Sequence, residues 1–216
     1  MQAQEQLSVQ LSRQTLSQKG FEKLALQDAE IYYCANFLER SVADNTFEKL
    51  HSETPWQEST VKVFGKTHKV PRLSAFFGDA GLSYAYSGYS DSARPWIPTL
   101  LQLRELIKSQ TQLVFNSVLL NLYRDGNDAN GWHADNEPEL GVNPIIASLS
   151  FGESRDFQLK HRNTKQRVDI ELTAGSLLLM AGATQKNWLH CLPRRKRCVK
   201  PRINLTYRKI VDRVLK

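Results

Sequence analysis

The sequence predicts an α+β fold with a sandwich or jelly-roll core, and three observations carry that expectation. Two helical segments come early, and six or more short strand-like segments follow them. With 216 residues, 41% of them apolar and 24% charged, the chain suffices for one substantial core and leaves little room for a second.

Residues 1–25 are rich in Gln and Ser and poor in aromatics, the composition of a flexible N-terminal arm, with a single domain over 26–216 whose folded part starts near Ala29. AEIYYCANFL then reads as a strand. SVADNTFEKLHSE reads as a helix, capped by Asp44 or Asn45 and turning Phe47 and Leu50 inward. STVKVFGKTHKVPRLSAFFG alternates around Gly65 as a hairpin does. Leu100, Leu101, Leu103, Leu106 and Ile107 recur at helical spacing, predicting a second helix from about Trp96 to Gln112. Beyond it SVLLNLY, PIIASLSF, RDFQLKH, QRVDIELT, SLLLMAG and RINLTYRKIV are strand candidates, separated by Gly, Asn, Asp and Pro.

The 29 Lys and Arg against 22 Asp and Glu give a net charge of +7, a field that favours polyanions such as nucleic acid. Cys34, Cys191 and Cys198 form no CxxC pair, and an odd number is poor material for a disulfide framework, so a reducing intracellular setting is expected. No stretch approaches the roughly 20 apolar residues of a membrane helix, and the N-terminus lacks the apolar centre of a signal peptide. A soluble monomer without a membrane partner is expected.

The most informative segment is NLYRDGNDANGWHADNEPELG. His133 and Asp135 are two apart, so at the extended end of a strand they project to one side and can grip one metal ion. A third ligand is needed. His190 in NWLHCLP is the best candidate, because His51, His68 and His161 lie in segments that read as exposed helix or strand. Two His and one carboxylate form the facial triad of non-haem iron(II) oxygenases, which leaves positions open for a cosubstrate and O2. On the last strand, PRINLTYR, Arg202, Asn204, Thr206 and Arg208 share one face, while Ile203, Leu205 and Tyr207 share the other, a core face. The polar face is either solvated or a cradle whose guanidinium groups converge on a dicarboxylate.

In the order NLY, HAD, a distant His190 and RINLTYR, the chain resembles the AlkB family of Fe(II)- and 2-oxoglutarate-dependent nucleic-acid dealkylases, over about residues 60–210. The resemblance implies a double-stranded β-helix (jelly-roll) core at about 115–212, N-terminal helices, and a β-hairpin substrate-recognition lid at about 60–90. It implies His133, Asp135 and His190 as iron ligands, and Asn121, Tyr123, Arg202, Asn204, Thr206 and Arg208 around 2-oxoglutarate. VFGKTHKVPRLSAFFGDAGLSYAYSG is similar to the lid of the DNA-repair branch, most closely its double-strand member. There Phe64, Gly65 and Lys66 match the finger that probes the base stack, and Tyr84, Ala85 and Tyr86 match the wall of the damaged-base pocket. EPELGVNPIIASLSFG and LLLMAGATQKNWLH also resemble the single-strand DNA and RNA member. Asn136 is a departure: it stands where DNA-repair members usually carry a second Asp that contacts the damaged base.

Residue chemistry runs beside that comparison. Tyr84 and Tyr86 share a strand face on which a flipped base can stack, and Phe64 beside Gly65 suits a wedge that fills the gap left in a duplex. The run PRRKRCVK, 193–200, is either a solvated loop or a set of phosphate contacts. Cys191 is a poor nucleophile, since a metal-bound His190 cannot serve as its base. The expected function is therefore DNA repair by oxidative demethylation: Fe(II), 2-oxoglutarate and O2 hydroxylate the N-methyl group of 1-methyladenine or 3-methylcytosine, releasing formaldehyde, succinate and CO2. Alkylated DNA is the expected partner, with RNA as the alternative polymer, in a bacterial cytoplasm or a eukaryotic nucleus. Two rival readings are an AlkB-like oxygenase of methylated RNA or protein and a non-catalytic nucleic-acid-binding β-domain.

Overall fold

The structure, a computed structural model, describes residues 13–63, 66–86 and 89–211. Three layers stack on one another. The outer layer holds the helices α1 (Arg13–Gln18), α2 (Arg40–Glu53) and α3 (Pro98–Thr111). The middle layer is an eight-stranded antiparallel sheet in the order β1 (Glu22–Lys23), β2 (Glu30–Cys34), β12 (Leu177–Ala181), β9 (Ile146–Gly152), β14 (Arg202–Arg208), β7 (Ser117–Tyr123), β4 (Lys66–Gly78) and β3 (Gln57–Val63). The third is a four-stranded sheet ordered β11 (Arg167–Leu172), β10 (Arg155–His161), β13 (Trp188–Leu192) and β8 (Asn130–His133). A separate pair, β5 (Ser83–Tyr86) with β6 (Tyr89–Ser92), completes the strands, and α4 (Thr184–Asn187) leads into β13.

Period-two alternation builds this stack. On β14, Ile203, Leu205 and Tyr207 meet Leu50, Leu100 and Ile107 of the helices in one apolar cluster, and the Tyr207 hydroxyl donates to the Leu100 carbonyl at 3.1 Å. The opposite face of the large sheet meets a second cluster that includes Leu159, Ile170 and Trp188 of the small sheet. The two sheets therefore close on one another as a jelly roll, and polar residues on their facing sides have nowhere to go but inside. Among the described residues no helix is long and apolar enough to cross a membrane.

Three local expectations need correction. Of the arm expected over 1–25, the described part packs: Leu16 and Phe21 are 1% and 4% exposed, and Gly20 turns the chain between them at φ +79°. Averaged composition hid two well-placed apolar residues. Helix α2 starts at Arg40, ahead of the expected cap, because Asp44 lies on its solvent side and pairs with Arg40 at 2.9 Å, one turn away. His161, expected on an exposed strand, is 2% exposed, since the segment before β2 folds over it and puts Asp28 3.4 Å from its Nε2.

Candidate active site

The strand pairing assembles the first three residues. His133 ends β8 and lies directly opposite His190 of β13 in the antiparallel ladder, their rings 4.2 Å apart. Asp135 follows two residues on. The nearest ligand atoms of His133, Asp135 and His190 all lie within 4.8 Å of one another, a spacing that small side-chain rotations close around one ion. His133 Nδ1 sits 2.8 Å from the Gly131 carbonyl, which fixes the proton there and leaves the lone pair on Nε2, where Asn130 Nδ2 approaches to 3.2 Å. Phe157 stacks on the His190 ring at 5.1 Å, and the buried Gln185 side chain accepts the Asp135 backbone N–H at 2.9 Å.

Electrostatics sets these groups in the state that metal ligation needs. Burial pulls the His190 imidazole down, as it does His133, so both rings stay neutral near pH 7. Burial alone would raise the Asp135 carboxyl, but the Arg208 guanidinium, donating to Asp135 Oδ1 at 2.6 Å, and the neighbouring imidazoles outweigh it and keep the carboxylate ionised.

The polar face of β14 forms the floor of a cavity that opens onto this cluster. Arg202, Thr206 and Arg208 are buried and Asn204 half-buried, so the solvated-strand reading fails. Asn121 and Tyr123 of β7 line the same cavity, so all six expected cosubstrate residues converge there with the three expected ligands. Arg202 is 1% exposed and gives Nη2 to Ser150 Oγ at 2.9 Å, while its Nε and Nη1 have no partner. No carboxylate pairs with it among the described residues. A buried cation over the Tyr123 ring, with idle donors and no acidic partner among the described residues, suits an anionic ligand, and a 2-oxoglutarate carboxylate supplies one. The donor set and this idle guanidinium together fit iron(II) and 2-oxoglutarate.

Several functional neighbours were not foreseen. Ser148 and Ser150 of β9 hold Asn204 and Arg202, and Arg72 of β4 donates to Asn121 Oδ1 at 2.9 Å. Arg155, 1% exposed, donates to the carbonyls of Asp125, Asp128 and Pro193, tying the loop before β8 to the one after β13. Ser148 and Ser150 do alternate in ASLSF, a signal that was present; the two arginines stood out from other basic residues only through cross-strand register.

The lid residues fare differently. Phe64 and Gly65 lie outside the described residues. Lys66 starts β4, and Tyr84, Ala85 and Tyr86 lie on β5, with only their backbone placement described. Asn136 is exposed and does not line the metal cavity; it faces a separate cleft. In the basic run, Arg195 pairs with Asp156 and Arg194 donates to the Asn127 carbonyl. The buried Cys191 thiol is pushed up to about 11 by burial, which agrees with an inert residue.

Comparison with known proteins points the same way. Residues 30–208 match the 2OG-Fe(II) oxygenase superfamily. The human DNA oxidative demethylase ALKBH2 is 43% identical over 183 residues, 80% of this chain and 70% of that protein. The bovine alpha-ketoglutarate-dependent dioxygenase alkB homolog 3 is 40% identical over 192 residues, 84% of this chain and 66% of that one. The chain spans 66% of the length of bovine ALKBH2, at 42% identity. The solved structure of OsALKBH1 superposes with a TM-score of 0.62 over 88% of this chain and 99% of that one, at 16% identity, a likeness of fold alone.

Proposed function

The chain belongs to the 2OG-Fe(II) oxygenase superfamily, within it to the AlkB family, and from that premise we propose that it repairs N-alkylated bases in DNA by oxidative demethylation. One observation carries the reading: the three-residue cluster His133, Asp135 and His190 opens onto a cavity floored by the buried polar face of β14. Relatives named as DNA oxidative demethylases support the substrate class.

When bound, iron(II) with 2-oxoglutarate and O2 supplies the oxidising power that turns an N-methyl group into N-hydroxymethyl, lost as formaldehyde, with succinate and CO2 as co-products. The chain's own residues prepare that chemistry. His133, Asp135 and His190 would hold the metal, and Arg208 keeps Asp135 ionised. Arg202 would take a carboxylate of 2-oxoglutarate, with Asn121, Tyr123, Asn204 and Thr206 shaping the cavity beside it. Phe157, Leu119, Met180 and Leu192 line the apolar remainder and keep water scarce around the oxidation.

For the base to enter, it must leave the stack. Phe64 acts as the wedge that replaces it in a duplex, Gly65 and Lys66 shape the finger, and Tyr84, Ala85 and Tyr86 wall the flipped base. The test compares formaldehyde release from 1-methyladenine in double-stranded DNA, single-stranded DNA and RNA, for wild type and Phe64→Ala. Expected is turnover on DNA with the variant losing duplex repair far more than single-strand repair. Turnover confined to RNA would reassign the substrate, and equal losses on both DNA forms together with a lower melting temperature would make Phe64 a core residue.

A further inference from the structure

The cleft that Asn136 faces is walled by three segments: the loop carrying Asn136, Gly141 and Asn143, the turn after β10 with Arg162, and α4 with Gln185 and Lys186. No carboxylate lines it. Neither Arg162 nor Lys186 pairs with an acidic group among the described residues, and Arg162 Nε is buried without a hydrogen-bond partner. Two cations without an acidic partner among the described residues and the side-chain amides of Asn136, Asn143 and Gln185 therefore line a surface opening that has no carboxylate in its wall.

The walls are fixed relative to the metal cluster. The Arg162 backbone N–H donates to the Asn187 carbonyl at 2.8 Å, which ties the β10 turn to α4. His161 Nδ1 accepts the N–H groups of Asn163 and Thr164 at 3.2 and 3.0 Å and orders that turn from inside. Gln185, on α4, accepts the Asp135 N–H. Asp135 lines the metal cavity and Asn136 the cleft, so residues adjacent in the chain, about 3.8 Å apart between Cα atoms, line the two.

We propose that the cleft seats one phosphodiester of the substrate strand, next to the nucleotide whose base enters the metal cavity. The proposal rests on the nucleic-acid reading above and gives that substrate a second anchoring point. Arg162 supplies a planar fork suited to phosphate oxygens, Lys186 a second charge, and the amides of Asn136 and Asn143 neutral donors. Asn at 136 matters here. A carboxylate at that position would face the phosphate and repel it, whereas the amide does not.

The test uses the full chain loaded with manganese(II) and 2-oxoglutarate, and fluorescein-labelled single-stranded oligonucleotides bearing one 1-methyladenine. A single neutral methylphosphonate linkage is walked through the positions flanking the lesion, and affinity is read by fluorescence anisotropy at several salt concentrations. For wild type, one linkage next to the lesion should weaken binding about tenfold more than the others. The doubly substituted Arg162→Gln, Lys186→Gln protein should bind the all-phosphate strand about tenfold less tightly, lose its sensitivity to that one linkage, and show a salt slope lower by about 0.7 to 1. Asn136→Asp should weaken binding in the same position-dependent way. A wild-type scan without a preferred linkage, or a double variant that keeps the wild-type pattern, overturns the proposal and leaves the demethylase reading standing. If wild type binds no DNA, and its iron(II)-loaded form releases no formaldehyde from the all-phosphate strand in the presence of O2, both fall together.

Discussion

Replacing Arg202 by methionine should remove the grip on 2-oxoglutarate without weakening the fold. Arg202 is 1% exposed; its Nη2 donates to Ser150 Oγ, its Nε and Nη1 make no hydrogen bond, and the Tyr123 ring lies 5.5 Å from its guanidinium. Burial pulls its pKa down from 12.5 to about 10, so the group stays charged at neutral pH. At 1.36 kcal/mol per unit, that charge destabilises the ligand-free fold by roughly 3 kcal/mol. The sign follows from linkage: the folded pKa lies below the unfolded one, so the penalty is fully present below about 10 and fades as pH rises through that value. A bound carboxylate would reverse it through charge-assisted bonds of about 1.5–3 kcal/mol each, so losing the guanidinium should weaken 2-oxoglutarate by about 2–5 kcal/mol, on the order of 30-fold or more in Kd. Calorimetric titration of 2-oxoglutarate into manganese(II)-loaded protein gives the first quantity. Thermal melting without 2-oxoglutarate gives the second, where 1 kcal/mol corresponds to about 2–4 °C at this chain length. A Kd changed by less than about threefold, or a melting temperature that falls by about 5 °C or more, would refute the reasoning and make Arg202 a structural residue.

His133→Ala and His190→Ala should lose stoichiometric metal, read by elemental analysis, while keeping the wild-type melting temperature; full activity in either removes that residue from the cluster. Asp135→Ala should also melt lower, by an amount reflecting about 3–5 kcal/mol, because it breaks the buried ion pair between Asp135 and Arg208. Gly126→Ala should destabilise by about 2–4 kcal/mol in urea titration, since an added Cβ would meet the Arg195 carbonyl oxygen that approaches it here; an unchanged midpoint would mean the two loops part freely. Iodoacetamide at pH 8 should leave Cys191 unmodified, with labelling rising only as pH climbs toward about 11, and fast labelling at pH 8 would contradict the buried thiol.

The parts of the site legible in the sequence are those that depend on one segment at a time. His133 and Asp135 could be paired because two residues of extended chain bring side chains to one side, and the face of β14 could be listed because its period is two. Whether that face was wet or buried could not be read from RINLTYR itself, since the answer lies in β7, β9 and the second sheet that covers them. Apart from the resemblance, His190 rested on setting other histidines aside, and one reason given, that His161 is exposed, proved wrong although His190 does join the cluster. Arg72, Arg155 and Gln185 serve through partners 49, 30 and 50 residues away, distances at which sequence spacing carries no signal. Asn136 was placed near the base by resemblance alone; its side chain lines the outer cleft and not the metal cavity, a placement that its position in the sequence did not carry.

The most direct test of the central claim reconstitutes the protein with iron(II) under anaerobic conditions, adds 2-oxoglutarate and DNA containing 1-methyladenine, then admits O2. Formaldehyde, succinate and the restored adenine are measured together for wild type and His190→Ala. Expected is formaldehyde and adenine in equal amounts from wild type, accompanied by succinate, with none of the three from the variant. Succinate and formaldehyde from both proteins alike, or restored adenine without 2-oxoglutarate, would contradict the assignment of this site to oxidative demethylation.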